Sequence, residues 1–299
     1  MISVLIPVLN YTLTDLVATL HKMLSKENIE FEIICFEDGS KEENVSKNKE
    51  IEKLPYTKLI VSRKNIGRIK ARKLLCQKAK FSWLLFLDAD INLKGHDFIS
   101  NYLKYTNANY DAIYGGFAYS REKPKTTQLL RWKYGIKHEE VPAKIRNQKP
   151  YKVIISANCL IKKEVFEYLD LNEDQKVYGL DSFIGSKLKE KSVKVLHIDN
   201  EVLHLGLEEN SVFLNKKEQA SDIILKLHKE GVLNNPQNSL LRLFILLKKS
   251  RTNSLFSWAY KTFESRMKNN LTGSNPSIPL LQFYRISYMC YKDSSIKTQ

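Results

Sequence analysis

Closely spaced cysteines are missing from this chain. Its four cysteines, Cys35, Cys76, Cys159 and Cys290, are scattered over a sequence of 299 residues. Zinc ribbons and disulfide frameworks both need cysteines at short, repeated spacings. The distribution therefore argues against both kinds of protein and fits a reducing compartment.

Long apolar runs are missing as well. No stretch of the sequence approaches ~18 uninterrupted apolar residues, the length that a membrane-spanning helix needs. The first residues, Met1-Ile2-Ser3-Val4, lack the basic start and the cleavage site of a signal peptide. We therefore expect a cytoplasmic protein, and the membrane association that the sequence allows is peripheral, on the inner face of the cytoplasmic membrane.

Acidic residues are scarce relative to basic ones. The chain has 48 Lys and Arg against 33 Asp and Glu, a net charge of +15, while its 43% of hydrophobic residues is ordinary for a globular protein. The excess is concentrated between Arg121 and Lys152 and again after Leu240. A charge of this size indicates an anionic partner, which could be nucleic acid, an anionic membrane or a phosphorylated substrate. Most of these lysines simply solvate the surface.

Apolar runs alternate with helical patterns over the first 90 residues. The runs typical of buried strands are Ser3–Val8, Glu32–Phe36, Lys58–Val61 and Trp83–Leu87. Helical spacing follows Thr12 and Ile66. This order predicts an open, mostly parallel α/β sheet flanked by helices. Ligands bind such sheets beyond the carboxyl ends of the strands, where Asn10, Asp38 and Asp88 lie.

After the first 90 residues, the order of predicted strands and helices is less regular. Strands are expected at Ala112–Phe117, Val153–Ile161 and Val193–Ile198, helices at Phe98–Tyr105, at Tyr178–Lys191 and from about Glu208, and a long basic loop up to about Pro150.

The segment after residue 230 has a different pattern. Leu255, Trp258, Ala259 and Phe263 fall on one helical stripe with basic residues nearby. Basic amphipathic helices that carry Trp and Phe can lie in a membrane interface. A helical cap packed on the preceding domain explains the same pattern. We predict one domain over residues 1–230 and a basic amphipathic helical tail over residues 231–299, and both roles of the tail stay open.

Asp88 and Asp90 are the strongest candidates for a metal site. They are two carboxylates two positions apart, directly after an apolar strand. Such hard oxygen ligands suit Mg²⁺ or Mn²⁺, and a diphosphate would supply most of the remaining ligands. The alternative is an ordinary acidic surface loop.

Four further features each have a structural and a functional interpretation. Asp38, in Glu-Asp-Gly-Ser, suits either a turn or the binding of a base or ribose. Gly67 is at a helix entrance, which can be a simple helix start or an anion site. Asp181 is favoured at a helix start by the dipole, yet could act as a general base. His204 is either a core residue or a metal ligand.

Taken in order, these motifs resemble the family-two glycosyltransferases of the GT-A fold over roughly residues 1 to 230. The matching pieces are Val4-Leu5-Ile6-Pro7-Val8-Leu9-Asn10, Glu37-Asp38-Gly39-Ser40, Asn65-x-Gly67-x-x-x-Ala71-Arg72, Asp88-x-Asp90, Asn158 in Ser156-Ala157-Asn158-Cys159, Gly179-x-Asp181 and His204. Each piece is weak by itself, and their shared order is specific.

The resemblance implies a GT-A domain that binds a nucleotide sugar and uses Mn²⁺ or Mg²⁺. Pro7, Asp38, Arg72 and Asp88 would then bind the nucleotide. The expected reaction is an inverting transfer from a nucleotide diphosphate sugar, with UDP favoured, to a hydroxyl of a cell-surface glycan or lipid-linked acceptor. An anionic membrane surface would be a partner of the C-terminal tail.

The same resemblance assigns the remaining site residues. Asp90 and His204 would ligate the metal, Asp181 would be the catalytic base, and Asn158 would lie near the donor or acceptor sugar. The family usually has Glu-Asp where this chain has Leu180-Asp181, which puts acceptor handling in doubt.

Three rival functions stay open at this point. The first is a catalytically impaired, membrane-surface member of the same family. The second is a nucleotidyltransferase, which the absence of a Gly-rich loop after the first strand disfavours. The third is a basic nucleic-acid-binding protein, for which we find charge but no recognition module.

Overall fold

A computed structural model of the chain describes residues 1–169, 180–231 and 238–295. The strands are β1 (Ile2–Val8), β2 (Phe31–Asp38), β3 (Thr57–Ser62), β4 (Trp83–Leu87), β5 (Ile91–Leu93), β6 (Ala112–Tyr114), β7 (Phe117–Ala118), β8 (Asn158–Lys162), β9 (Val195–His197) and β10 (Val202–His204). The helices are α1 (Thr14–Leu24), α2 (Glu42–Asn48), α3 (Arg68–Lys78), α4 (Phe98–Leu103), α5 (Leu129–His138), α6 (Ala143–Gln148), α7 (Lys163–Tyr168), α8 (Leu180–Glu190), α9 (Asn210–Lys229), α10 (Ser239–Lys249), α11 (Asn253–Thr272) and α12 (Ile278–Ser295).

The chain divides into two compact units, each assembled from separate segments. The first unit comprises Met1–Tyr119, Glu139–Lys176 and Lys187–Gly206, and the second comprises Ser120–His138, Val177–Ser186 and Leu207–Gln299. The predicted domain boundary between residues 230 and 231 stays a prediction.

A seven-stranded sheet forms the centre of the first unit, in the order β3-β2-β1-β4-β8-β6-β9 among the described residues. The strands β3, β2, β1 and β4 run parallel, and β8 is antiparallel to both of its neighbours. Helices cover these strands, so β1 and β4 are buried on both faces and their sequences are nearly continuous apolar runs. The predicted mostly parallel α/β fold, with helices at the C-terminal end, is confirmed.

The predicted strand Ala112–Phe117 is confirmed over Ala112–Tyr114, but its extent as one strand was wrong, because it is interrupted at Gly115 and Gly116. The strand β6 ends at Tyr114, and Gly116 has a φ of +93°, a conformation that favours glycine. The chain then enters a separate three-stranded sheet in the order β5-β10-β7. This small sheet brings the end of β10 beside the start of β5, which directly follows β4.

The predicted long basic loop before Pro150 was also wrong. This segment contains α5 and α6, in which apolar side chains such as Leu130 and Ala143 are buried. Lys and Arg are good helix formers, so their abundance is no argument against a helix. The predicted strand from Val153 begins only at Asn158, because the backbone N–H of Asn158 donates to the Ile155 carbonyl in a turn.

The second unit is helical in its described residues. Its core contains aromatic and aliphatic side chains from α5, α9, α11 and α12, among them Leu130, Phe213, Tyr260, Leu281 and Tyr284. A second cluster joins α9, α10 and α12 through Leu225, Leu241, Phe244 and Met289. The helices predicted for the tail are therefore present and packed on one another. The predicted apolar stripe is divided, since Ala259 is buried whereas Trp258 is exposed.

Candidate functional site

A cavity of about 320 Å³ opens at the carboxyl edge of the parallel strands in the first unit. Pro7 near the end of β1, Asp38 at the end of β2 and Asp88 just after β4 all line it, together with Asp90. Parallel strands place their carboxyl ends at one edge, which is why residues far apart in sequence meet here. Four of the predicted site residues thus share one cavity. Its other lining residues are Val8, Leu9, Tyr11, Asn65, Gly67, Arg68, Ala71 and Ala89.

Asp88 is held by two arginines from helix α3. Arg72 Nη2 lies 2.6 Å from Asp88 Oδ1, and Arg68 Nη2 contacts Asp88 Oδ2. Burial by itself would raise the pKa of the Asp88 carboxyl, but the charges of Arg68 and Arg72 outweigh it and lower the pKa. Asp88 is therefore an anion with a fixed orientation. Arg72 contributes to the site by holding this carboxylate in place.

Asp38 fixes the loop that enters α3. Its two carboxylate oxygens accept the backbone N–H groups of Ile66 at 2.6 Å and Gly67 at 3.0 Å. Gly39 has a φ of +80° and approaches the backbone of Asn65 so closely that a Cβ atom would lie 2.5 Å from its nitrogen. The Glu-Asp-Gly-Ser motif thus shapes the wall of the cavity besides contributing a carboxylate to it.

Asp90 and His204 meet through the small sheet. His204 pairs with Ile91 in the antiparallel register of β10 and β5, and the N–H of Leu205 donates to the Asp90 carbonyl at 2.9 Å. His204 Nδ1 then lies 3.9 Å from Asp90 Oδ2. The His204 ring stacks on Phe117 at 4.9 Å between centroids, which fixes its orientation. The structure therefore brings together the two predicted metal ligands.

Two residues beside the candidate site were not found from the sequence. Tyr11 lies beside the acidic group, and burial together with the charge of Asp90 raises the pKa of its hydroxyl. Gly206 packs directly against the Asp90 carboxylate. No motif indicates Tyr11, whereas a glycine two positions after the candidate His204 is a usable signal for close packing at Gly206.

Asn158 is fully buried within the first unit. Its amide nitrogen donates to the carbonyls of Gly116 and Asn200, each at 2.9 Å, and its Oδ1 accepts from the Tyr102 hydroxyl at 2.6 Å. These hydrogen bonds hold the backbone at Gly115 and Gly116, where the chain leaves strand β6 of the central sheet. The predicted contact of Asn158 with a sugar stays a prediction.

Arg146 is a second buried side chain that holds the backbone where β6 ends. It donates to the backbone carbonyls of Val141, Tyr114, Gly115 and Ile198 and contacts His197 Nδ1 at 2.8 Å. His197 Nε2 lies 2.8 Å from the Pro150 carbonyl. Since the arginine can only donate, Nδ1 accepts and the ring proton lies on Nε2. Burial, with the charge of Arg146, lowers the pKa of His197 to about 4.

Asp181 lies in the first turn of α8 and belongs to the second unit. The preceding Tyr178 and Gly179 lie outside the described residues. Its predicted role as a base stays a prediction.

Comparison with known proteins decides the family. A family model described as glycosyl transferase family 2 matches residues 3–169, just over half of the chain. The chain belongs to this family. The protein is therefore a glycosyltransferase, as the sequence motifs predicted, and the match includes Pro7, Asp38, Arg72, Asp88, Asp90 and Asn158. No curated protein matches the chain.

Solved glycosyltransferases have the same fold as this family member. The mannosyltransferase PcManGT from Pyrobaculum calidifontis, in complex with GDP-Man and Mn²⁺, matches with a TM-score of 0.58 and 12% identity over 100% of this chain and 87% of that chain. Residues 1–349 of S. aureus TarS in complex with UDP-GlcNAc match with a TM-score of 0.54 and 16% identity over 100% of this chain and 92% of that chain. At these identities the likeness shows the GT-A fold alone.

Membrane-spanning helices and larger clusters of metal-binding side chains are both absent from the part of the chain that the structure describes. No helix there combines the length and apolarity that crossing a bilayer requires. In the same residues, no group of three or more His, Cys, Asp or Glu side chains could hold a metal ion.

Proposed function

We propose that this glycosyltransferase moves a sugar, with inversion, from a UDP-sugar to a hydroxyl of a cell-surface glycan or lipid-linked acceptor. The observation that carries the proposal is the cavity at the sheet edge, which combines an apolar wall from Val8 and Leu9 with the carboxylates of Asp38, Asp88 and Asp90. A nucleotide sugar needs this combination, because its base is flat and weakly polar while its ribose hydroxyls are donors and its diphosphate attracts a cation.

The nucleotide is assigned to Pro7, Asp38, Arg72 and Asp88. Each carboxylate oxygen of Asp38 accepts one backbone N–H, and a second lone pair on each oxygen can accept a donor group of the base. Arg72 keeps Asp88 ionised and oriented, which suits it to accept hydrogen bonds from ribose hydroxyls. UDP is proposed as the nucleotide because the family resemblance favours it; among the structural neighbours, TarS was solved with UDP-GlcNAc and PcManGT with GDP-Man.

A divalent cation, Mn²⁺ or Mg²⁺, is assigned to Asp90 and His204. The Asp90 carboxylate is a hard oxygen ligand of the kind that suits Mn²⁺ and Mg²⁺, and His204 Nδ1, 3.9 Å from it, would add a nitrogen ligand. Diphosphate oxygens and water would supply the remaining ligands. A Cβ atom at Gly206 would overlap Asp90 Oδ2, so the backbone there leaves the carboxylate just enough room. When bound, such a cation neutralises charge on a leaving diphosphate.

Asp181 is proposed as the base. Its carboxylate takes the proton of the acceptor hydroxyl while that oxygen attacks the anomeric carbon and the bond to the diphosphate oxygen breaks. A single displacement of this kind inverts the anomeric centre and needs no enzyme nucleophile. The acceptor class rests on the family resemblance, and a net charge of +15 is compatible with an acceptor that carries phosphate or other anionic groups.

The proposal is tested with a panel of UDP- and GDP-sugars, each measured for thermal stabilisation with Mn²⁺ and with a chelator. We expect one UDP-sugar to raise the unfolding midpoint in the presence of Mn²⁺, because a ligand that binds only the folded state stabilises it. Asp90→Ala should abolish the Mn²⁺-dependent part, whereas the exposed Asp97→Ala should not. The donor assignment is wrong if no nucleotide sugar shifts the midpoint.

The base is tested separately. Asp181→Asn should bind the donor as the parent does and transfer almost no sugar, and transfer at the parent rate would refute the role. The alternative, a catalytically impaired member suggested by Leu180, predicts donor binding by the parent protein with no transfer to any acceptor offered.

A further inference from the structure

Three large apolar side chains are exposed where α10 ends and α11 begins. The exposed fractions are 61% for Leu246, 60% for Leu255 and 56% for Trp258. We call residues 246–258 the helical corner. The same helices bury Leu240, Leu241, Phe244 and Tyr260, so they have a true core face and the exposed residues are additional to it. Several large exposed apolar side chains within one short segment indicate an interaction surface.

Exposed cations lie next to these apolar residues. Arg242, Leu246 and Lys249 follow one another at helical spacings of four and three, so they share one stripe of α10, and Arg251 follows in the turn. Lys248 is excluded from this set because it pairs with Asp293 at 2.9 Å. In the sequence no Asp or Glu occurs between Glu230 and Glu264. The helical corner is therefore apolar and positively charged.

We propose that the helical corner lies on an anionic lipid surface, with Leu246, Leu255 and Trp258 in the interface. Leu side chains gain from leaving water, and a Trp ring is well suited to the headgroup region. Lys249 and Arg251 extend their charged ends toward the lipid phosphates. The Trp258 ring packs edge-on against Phe263 at 6.0 Å between centroids, which adds a second aromatic beside it. The proposal stands independently of the proposed reaction.

The charge distribution favours lipid over the other partners. A second copy of the chain docked through the same face would bring one positively charged patch against another, since a two-fold interface uses the same patch on both subunits. Nucleic acid would use the cations but leave the two exposed leucines in water. An anionic membrane matches both the charge and the apolar surface.

The test is sedimentation of the full chain with phosphatidylcholine vesicles, with and without phosphatidylglycerol. We expect binding only to the anionic vesicles, weakened by salt. Leu255→Ser with Trp258→Ser should reduce the partition coefficient by roughly tenfold or more because less apolar area is buried. The matched control is Val212→Ser, an exposed apolar residue on α9. Trp258→Phe should remove the blue shift of tryptophan emission that vesicle binding produces.

A second pair of variants tests whether the charge acts locally. Lys249→Glu with Arg251→Glu and Lys22→Glu with Lys26→Glu change the net charge equally, and all four residues are exposed. Only the first pair should abolish vesicle binding. Equal losses from both pairs, no binding to anionic vesicles, or unchanged binding by the Leu255 and Trp258 variant would each overturn the proposal. If the chain bound a nonspecific RNA but did not bind the anionic vesicles, the surface would be assigned to nucleic acid instead.

Discussion

Gly206 packs against Asp90 so closely that a Cβ atom at position 206 would overlap Asp90 Oδ2 and lie 3.2 Å from His204 Cε1. Gly206→Ala must therefore displace one of the two proposed metal ligands. We expect Mn²⁺-dependent donor binding to weaken about 10- to 100-fold, the usual effect of disturbing the support of a ligand. Calorimetry with and without Mn²⁺ measures this.

Gly95→Ala is the control for that variant. Gly95 has a φ of +77° with open space around it, so alanine costs stability without touching Asp90. Equal effects of the two variants on metal-dependent binding would show that general destabilisation is the cause.

Arg72 and Arg68 hold the same carboxylate but should differ in importance. The Arg72 side chain is 3% exposed and that of Arg68 is 49% exposed. Arg72→Ala removes the buried member of the pair and leaves the partly buried Asp88 with Arg68 alone, and we expect a loss of about 3 kcal/mol in the free energy of unfolding. Arg68→Ala should cost less than about 1 kcal/mol. Denaturant titration of both variants checks the order, and a reversed order would contradict the assignment.

The stabilisation of the fold by Arg72 should also depend on pH, because Arg72 pairs with the Asp88 carboxyl. Its pKa is lowered in the folded chain, so the stabilisation is present above the unfolded pKa and is lost as pH falls through the folded value. The difference in unfolding midpoint between the parent and Arg72→Ala should therefore shrink in acid.

His197 should make the fold sensitive to mild acid. The folded pKa of about 4 lies below the ordinary histidine pKa of 6.5, so only the unfolded chain takes up a proton as pH falls between these values. Stability should decline over this window by up to about 3 kcal/mol. His197→Gln should flatten the pH dependence of the urea midpoint, and the exposed His96→Gln should leave it as in the parent. An unchanged slope in His197→Gln would refute this source.

Asn158→Ala separates a structural role from sugar binding. The variant leaves the Tyr102 hydroxyl and two buried carbonyls without their amide partner, so we expect a loss of about 2 to 3 kcal/mol in the free energy of unfolding. The exposed Asn107→Ala should be neutral. A raised donor KM at an unchanged unfolding midpoint would instead favour the predicted sugar contact.

Local patterns were sufficient for the parallel half of the sheet. The strands β1 and β4 are buried on both faces, so each is a short apolar run in the sequence, and the acidic residues follow where the strands end. The position of Asp38, Asp88 and Asp90 around one cavity follows from parallel strand order alone. That is why motif order could indicate the family before any distance was known.

The sequence by itself determined the fold class, the family and the edge of the sheet where the acidic residues gather. Tertiary structure alone decided that Arg68 reaches Asp88, that Gly206 supports Asp90, and that α11 exposes Trp258 while burying Ala259. The physical reason is how far apart along the chain the interacting residues lie. Strand and helix patterns arise from neighbours a few residues apart, whereas these contacts join residues from different elements, and which helix face is buried depends on what packs against it.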